Sequence, residues 1–137
     1  MSDETDLQEF LKKANIAVLA TVDGKGRPHA APVWYLYDNG DLLVSTGEGS
    51  QKHRNIQRNP EIALVIDSRE LPYFSVTVSG RAQVEPALTD DKRLELATRY
   101  LGDEMGKAYT ESTAGGNSIT IRLRPERTAT FNGRAGR

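Results

Sequence analysis

A short basic run that follows a predicted strand contains residue types that could bind a phosphate. Leu42 to Thr46 is typical of a β-strand, and Ser50 is typical of a helix cap because its hydroxyl can accept a bond from a free backbone N–H. The next residues, Gln51 to Arg54, carry cations where the helix dipole favours acids. A phosphate held by backbone N–H groups, the Ser50 hydroxyl and the Lys52 ammonium group would account for this charge. The alternative is a solvated basic turn.

A second stretch with possible chemistry is Ala30 to Tyr35, in which small residues and a proline precede two aromatic residues. Proline cannot donate to a strand ladder, so Pro32 is expected at a sheet edge or a bulge. An open edge with small side chains can accept a flat heterocycle whose polar atoms bond the backbone. The simpler alternative is that Trp34 belongs to the core and that Pro32 only interrupts an edge.

No other catalytic constellation stands out in the sequence. His29 and His53 lie in no motif, no carboxylate pair is set among apolar residues, and no metal-ligand spacing occurs, so no catalytic residue and no metal ligand is assigned. The loop before Lys52 matches neither a Walker A nor a Rossmann fingerprint. A chain with a phosphate site and a planar-ring site, but no evident acid or base, favours a reaction carried out by a bound cofactor.

Composition narrows the classes of protein. At 137 residues, the chain is expected to form a single domain over 1–137, with flexible ends at about 1–4 and 132–137. Its 18 basic and 19 acidic residues argue against nucleic-acid binding, and the lack of cysteine excludes disulfides and thiolate zinc sites. A polar, acidic start and the lack of an apolar run of about 20 residues predict a cytoplasmic protein without a signal peptide or membrane contact.

The hydrophobic pattern predicts a mainly β fold with flanking helices, in which six or seven antiparallel strands form a small β-barrel. Helices are predicted over 7–14, 50–58 and 89–101, with a further turn over 103–109 and a mobile loop over 110–117. The predicted strands span 16–22, 28–37, 42–46, 62–67, 74–85, 119–124 and 128–131. The first three are expected to form a meander that turns at Asn39-Gly40, and the last is expected to pair with the sixth.

One of these strands and one of these helices have faces that the pattern specifies. In the fifth strand the inward positions run from Phe74 to Val84 at every second residue, and Gly80 is expected to mark a bend. In the third helix, Leu94, Ala97 and Leu101 are expected to form the buried stripe, with Leu96 and Tyr100 alongside.

Four segments taken together resemble the pyridoxamine 5′-phosphate oxidase-like superfamily, and more closely its flavin/deazaflavin (F420-dependent) oxidoreductase branch. The resemblance covers about residues 7–131. The segments are Ala20-Thr21-Val22-Asp23-Gly24-Lys25-Gly26-Arg27-Pro28, Pro32-Val33-Trp34-Tyr35, the spaced set Ser45-Thr46, Ser50-Gln51-Lys52, Asn55-Ile56 and Asn59-Pro60, and Val78-Ser79-Gly80-Arg81-Ala82.

The resemblance implies a split β-barrel of the FMN-binding type that forms a homodimer, with a cofactor at each of two sites shared between the chains. The strand at Pro32 would meet the cofactor ring, the helix start at Ser50 would hold the phosphate, and Ser75 lies where the partner chain reaches the cofactor. Carried over position by position, the cofactor-binding residues are Pro32, Val33, Trp34, Ser45, Thr46, Ser50, Gln51, Lys52, Asn55 and Ser75.

Gln51 departs from the superfamily pattern, because FMN-dependent oxidases usually have arginine at this position. One cation fewer suits the singly charged phosphodiester of F420 better than the dianionic phosphate of FMN. The arginine and histidine that bind vitamin B6 in true pyridoxamine phosphate oxidases have no counterpart here, so vitamin B6 oxidation is not expected. The resemblance therefore predicts F420-dependent reduction of a planar conjugated small molecule. The alternatives are an FMN-dependent oxidoreductase of the same fold, or a non-catalytic flavin, deazaflavin or haem carrier.

Overall fold

The computed structural model describes the backbone of residues 3–132 and side chains from residue 6 onward, and within this range the chain forms four helices and eight strands. The helices are α1 (Asp3–Leu11), α2 (Gln51–Arg58), α3 (Asp90–Leu101) and α4 (Asp103–Ser112). The strands are β1 (Ala17–Val22), β2 (Pro28–Val33), β3 (Leu36–Asp38), β4 (Asp41–Gly47), β5 (Glu61–Asp67), β6 (Phe74–Pro86), β7 (Ser118–Leu123) and β8 (Arg127–Asn132).

The long strand β6 joins the strands into one curled sheet. All pairings are antiparallel, and the order is β2-β1-β5-β6-β7-β4-β3. Residues 74–79 of β6 lie between β5 and β8, whereas residues 82–86 pair with β7. The switch occurs next to Gly80, where an added Cβ would lie 3.1 Å from the Arg124 carbonyl oxygen. This curled half-barrel with flanking helices confirms the split-barrel fold class.

The predicted strand over 28–37 is wrong as a single element, because it is interrupted at Trp34 and Tyr35. Its two parts, β2 and β3, lie at opposite ends of the sheet order. The first strands therefore form two separate hairpins, β1–β2 and β3–β4, and not a meander. Positive φ angles of 50° at Asn39 and 91° at Gly40 confirm the second hairpin turn. Pro32 lies on an edge strand, as its missing N–H predicts.

Four predictions about the C-terminal half are corrected. The last strand, β8, pairs with β6 and not with β7, because both edges of β7 are occupied by β4 and β6. Helix α4 continues to Ser112 through residues that were predicted to form a loop. The exposed fractions of Val84 and Leu94 are 42% and 39%, so the inward alternation of β6 stops near its end, and α3 buries the predicted Ala97 together with Leu96 in place of Leu94.

The core fills the concave side of the sheet. Its fully buried members include Leu42, Val44, Leu64, Ile66, Val76, Val78, Ile121 and Leu123. Helix α1 packs onto this core through Phe10, whose ring meets that of Phe74 at 4.7 Å in an edge-on contact. None of the helices within residues 3–132 is long and apolar enough to cross a membrane. The prediction of flexible ends concerns residues that lie mostly outside the described range.

Candidate functional site

A cleft of about 730 Å³ has one wall made by strands and another made by helices. The strand wall includes Pro32, Val33, Ser45, Thr46 and Gly47, with Lys52 of the following helix α2 beside them. The helical wall consists of Arg93, Leu96, Ala97, Tyr109 and Thr110, with Asp90 and Thr113 beside them. The volume is typical of a site for a small molecule or cofactor.

At one end of the strand wall, the chain turns from β4 into helix α2. Ser50 caps the helix as predicted, because its hydroxyl oxygen accepts from the His53 backbone N–H at 3.3 Å. The same hydroxyl lies 3.3 Å from Oγ1 of Thr46, which lines the cleft. The cap therefore links the end of the strand to the first turn of the helix.

The first turn of α2 contains no acidic residue, and each of its basic side chains has a different environment. Lys52 is half-buried and lines the cleft. His53 is buried, and its Nδ1 accepts from the Gly49 backbone N–H at 2.9 Å. Arg54 donates to the Gly49 carbonyl oxygen at 2.9 Å and to Gln51 Oε1 at 2.7 Å. His53 and Arg54 thus hold the loop, and Lys52 is the cation of this turn that reaches the cleft.

Two backbone donors at this helix start have no acceptor among the described residues. They are the N–H groups of Gln51 and Lys52, which precede the first intrahelical bond, from Arg54 to Ser50. Free N–H groups beside a lysine are the donor set that an anionic oxygen requires.

Six of the ten predicted cofactor residues line this one cleft, although they lie on three separate elements. They are Pro32, Val33, Trp34, Ser45, Thr46 and Lys52. Ser50 lies directly behind them through its contact with Thr46. The residues that the family resemblance implied are thus, for the most part, brought together by the fold.

Gln51 and Asn55 do not line the cleft. Asn55 is 2% exposed, and its Nδ2 donates to the Thr21 hydroxyl at 2.9 Å. Its Oδ1 accepts from Gln51 Nε2 at 2.7 Å, so both amide groups are engaged within the protein. This chain of hydrogen bonds fastens α2 to β1.

Ser75 lies elsewhere, on β6, where it lines a second cavity of about 480 Å³. This cavity is formed with Asp67, Ser68, Arg69, Tyr73, Phe74 and Phe131. Within one chain, Ser75 therefore does not share a cavity with the other predicted residues.

Trp34 lies where the two walls meet. Its ring stacks on that of Tyr100 at 5.0 Å with an interplanar angle of 6°, and it lies 5.5 Å from Tyr109 at 55°. The Tyr100 hydroxyl accepts from the Tyr35 backbone N–H at 3.1 Å, which satisfies the backbone where the strand is interrupted. Trp34 consequently both packs against α3 and lines the cleft.

Sequence reasoning missed the helical wall, including Arg93 and Tyr109. The polar run after residue 109 was predicted to form a mobile loop, so nothing placed a second wall opposite the strands. A signal was present, since Arg93, Ala97 and Tyr100 recur at i, i+4 and i+7 and share one face of α3. An arginine within a largely apolar helix face indicates a position at which the fold keeps a positive charge.

Few charged groups line the cleft: Lys52, Arg93 and Asp90. The Asp90 side chain is 98% exposed, whereas that of Arg93 is 21% exposed, so water screens the carboxylate more than the guanidinium. The cleft therefore favours anionic ligands. Among the described residues, no group of three or more histidine and carboxylate side chains could hold a metal ion.

The fold and this cleft define a split-barrel protein, and the sequence identifies its family. The chain belongs to the pyridoxamine 5′-phosphate oxidase family, whose pattern it matches over residues 4–132. A protein named pyridoxine/pyridoxamine 5′-phosphate oxidase from Burkholderia mallei is 33% identical over 109 residues, which are 79% of this chain and 50% of that protein. This chain thus spans about half the length of the curated relatives it matches.

Solved structures show the same fold. A conserved hypothetical protein from Mycobacterium tuberculosis has a TM-score of 0.79 at 20% identity, covering 98% of this chain and 87% of that one. An F420 reductase has a TM-score of 0.72 at 27% identity, covering 89% of this chain and 94% of that one. The superfamily resemblance seen in the sequence is confirmed.

Proposed function

We propose that this protein is an oxidoreductase that binds a flavin-type cofactor in the cleft and uses reduced F420 to reduce a planar conjugated small molecule. The observation that carries the proposal is the convergence of Pro32, Val33 and Trp34 with Lys52 in a single cleft. Lys52 lies 18 positions after Trp34 in sequence, and the two groups are the parts that a planar ring and a phosphate would need.

The ring end of the site fits a flat heterocycle. Strand β2 pairs with β1 along one side, and no described strand pairs with its other side. Backbone N–H and C=O groups along this outer side can therefore bond the polar edge of a ring. Trp34 next to β2 is fixed by its stack on Tyr100, so the site needs little rearrangement to receive a ligand.

The phosphate end of the site, at the start of α2, fits a single negative charge. Lys52, the backbone N–H groups of Gln51 and Lys52, and the Thr46 hydroxyl supply donors. Gln51 adds no cation, and Arg54 is directed towards the Gly49 carbonyl oxygen. This donor set supports F420 over FMN, as does the similarity to an F420 reductase.

The reduced cofactor would supply the hydride. In this proposal the chain binds the cofactor, orients its ring against β2 and excludes water from between the two walls. The helical wall would hold the acceptor on the side opposite the strand wall.

We further propose that two chains form the complete site. Val18 and Val65 are cross-strand neighbours, 38% and 36% exposed, and Val18 also pairs with Pro32. A second chain placed over this apolar face could bring its own Ser75 to the cofactor.

The dimer is tested by sedimentation at micromolar protein, which should give the mass of a dimer. Val18→Asp should shift the mass towards that of the monomer, whereas Val22→Asp at the end of the same strand should have a smaller effect. A monomeric wild type would refute this part.

Cofactor identity is tested by titrating the purified protein with F420 and with FMN and following ligand fluorescence. F420 should bind more tightly, and Lys52→Ala should weaken its binding about 10- to 100-fold, the size of a lost charge-assisted contact. Arg58→Ala removes the same charge from the other end of α2 and should leave the affinity within about twofold. Tight binding of FMN without any response to F420 would instead favour the FMN-dependent alternative.

A haem carrier receives no support from the described histidines. His29 Nε2 lies 2.9 Å from the Asp23 carboxylate, His53 Nδ1 is bonded to Gly49, and neither residue lines the cleft. Turnover of F420H2 with conjugated acceptors separates an enzyme from a cofactor carrier, because a carrier would bind the cofactor without oxidising it.

A further inference from the structure

We propose that Arg93 selects acceptors that bear a carboxylate, so that the substrate class is a planar conjugated carboxylate lying against the helical wall. The proposal rests on the proposed function, since it concerns the second ligand of the same cleft. It assigns a specificity role to a residue that lies outside the strand wall and outside the phosphate end.

The guanidinium of Arg93 is held by one of its nitrogen atoms. Nη2 donates to the Thr110 carbonyl oxygen at 3.1 Å and to the Thr113 hydroxyl at 2.7 Å, which uses both of its N–H groups. The group is therefore fixed at the end of α4 before a ligand arrives, which lowers the entropy lost on binding.

The other terminal nitrogen, Nη1, still has donors to offer. It has no hydrogen-bond acceptor among the described residues, and its ion-pair partner, Asp90 Oδ1, is 3.6 Å away. Because the Asp90 side chain is 98% exposed, this pair is screened by water and contributes little. A carboxylate entering the cleft can thus form charge-assisted bonds to Nη1 without displacing a strong partner.

The surfaces beside Arg93 suit the rest of such a molecule. Tyr109 precedes the Thr110 carbonyl that holds Arg93, and its ring is 47% exposed. The ring of Trp34 lies 5.5 Å from it, and Leu96 and Ala97 supply apolar area. A conjugated ring can pack on these groups while its carboxylate meets Nη1.

A purely structural role for Arg93 makes a different prediction. Its bonds to Thr110 and Thr113 join α3 to the last turn of α4, so its loss would lower stability and weaken every ligand of the cleft equally. A role in selection instead changes the ratio of affinities for charged and neutral ligands of the same shape.

The test uses two redox-inert probes, 2-naphthoate and 2-naphthamide, with cofactor-loaded protein and isothermal titration calorimetry. Wild type should bind 2-naphthoate more tightly, and Arg93→Gln should reduce the ratio of the two affinities about 10- to 100-fold. Arg93→Lys keeps the charge and should retain part of the preference. Lys107→Gln removes the same charge from an exposed position of α4 that does not line the cleft, and should leave the ratio unchanged.

Two results would overturn the proposal: equal binding of the two probes to wild type, or an unchanged ratio of the two affinities in Arg93→Gln, whether or not that variant also loses cofactor affinity. The wild-type comparison needs no variant, so a folding defect cannot hide the answer. Turnover is measured separately, with a naphthoquinone carboxylate and its methyl ester as acceptors. If neither is reduced but Arg93-dependent binding of 2-naphthoate persists, then the proposed enzymatic function fails and the selection by Arg93 stands.

Discussion

The two walls of the cleft are held by different kinds of contact. The strand wall is part of the hydrogen-bonded sheet, since β2 pairs with β1 and β4 pairs with both β3 and β7. The helical wall is a pair of helices, α3 and α4, that pack on each other and are attached to the sheet by side chains. These attachments include the stack of Tyr100 on Trp34, the apolar cluster of Leu96 with Leu36 and Leu43, and the ion pair between Lys92 and Asp38, while Arg99 ties α3 to the end of α1.

Arg99 provides the most extensive of these attachments. Its guanidinium donates to the carbonyl oxygens of Leu11, Lys12 and Lys13 at 3.1, 2.6 and 2.5 Å, and it lies 4.8 Å from the centre of the Tyr35 ring. The end of α1 thus receives its missing donors from α3. A wall held by a few side chains can change its contacts in evolution while the sheet remains intact, which suits the recognition of different acceptors over a constant cofactor site.

The largest effect is expected for Trp34→Ala, which removes the stack between the walls. We expect a loss of about 3 kcal/mol in the free energy of unfolding, at the lower end of the range for large aromatic truncations because Trp34 is half-buried. Hydrogen exchange should rise in α3 and α4 more than in β4 and β7. Trp34→Phe keeps a ring and should lose less than half as much. Uniform deprotection of sheet and helices would mean that the walls form a single cooperative unit.

The contact inside the helical wall is tested by Gly106→Ala. A methyl group at this position would lie 2.6 Å from Thr98 Cα and 2.7 Å from its nitrogen, and backbone atoms cannot yield as a flexible side chain can. We expect a loss of about 2 kcal/mol, measured by urea unfolding, together with weaker binding of acceptors. Lys107→Ala, at an exposed position of the same helix, serves as the control. A variant as stable as wild type would show that α3 and α4 can separate without cost.

In helix α2, behind the strand wall, Asn55→Ala and Gln51→Ala separate a structural residue from a surface one. Asn55→Ala leaves the buried Thr21 hydroxyl without its donor and should cost about 2 kcal/mol. Gln51 is exposed, and its replacement should change stability by less than about 0.5 kcal/mol. Thermal unfolding measures both. If Asn55→Ala were neutral in stability but weakened cofactor binding, Asn55 would be a ligand contact after all.

The smallest effect concerns Tyr35, where the two walls meet the end of α1. Burial raises the pKa of the Tyr35 hydroxyl to about 12, although the nearby Arg99 opposes this shift. The unfolded chain loses this proton near pH 10 and the folded chain keeps it, so the contribution to stability is constant below pH 10 and is lost between pH 10 and 12. Tyr35→Phe should flatten this part of the stability profile.

At neutral pH, Tyr35→Phe should cost only about 1 kcal/mol, because Arg99 still donates to the Leu11 and Lys13 carbonyl oxygens that the hydroxyl contacts. Denaturant unfolding from pH 8 to 12 measures both quantities, with Tyr73→Phe at a 52% exposed position as the control. An identical slope for wild type and Tyr35→Phe above pH 10 would contradict the shift.

Local signals in the sequence were sufficient for the parts of the fold that depend on neighbouring residues. The Ser50 cap, the Asn39-Gly40 turn and the end of α3 at Leu101 all occur where the sequence predicts them. Each relies on side-chain or φ preferences that operate over a few residues. The family resemblance supplied six of the residues that line the cleft.

The predictions were wrong where a contact with a distant part of the chain determines the local structure. The strand over 28–37 looks continuous in sequence, yet the Tyr100 hydroxyl, 65 positions further on, bonds the Tyr35 N–H and allows the break. Likewise, the polar residues of α4 carry no strong helical pattern, and their helix is stabilised by close packing of Gly106 on Thr98. Local sequence patterns also do not specify which strands pair with each other. This is why β8 was predicted to pair with β7, whereas it pairs with β6.

The sequence by itself therefore determined most of the element types, because periodicity, caps and turn residues act locally, and its family resemblance indicated the split-barrel class and the strand side of the cleft. The tertiary structure decided that Lys52 and not Gln51 reaches the cleft. It also decided that the Asn55 amide is hydrogen-bonded to Gln51 and Thr21, and that Arg93 lines the cleft from the helical wall. The physical reason is that a side chain's partners depend on which elements pack around it, and this depends on contacts made across the whole chain.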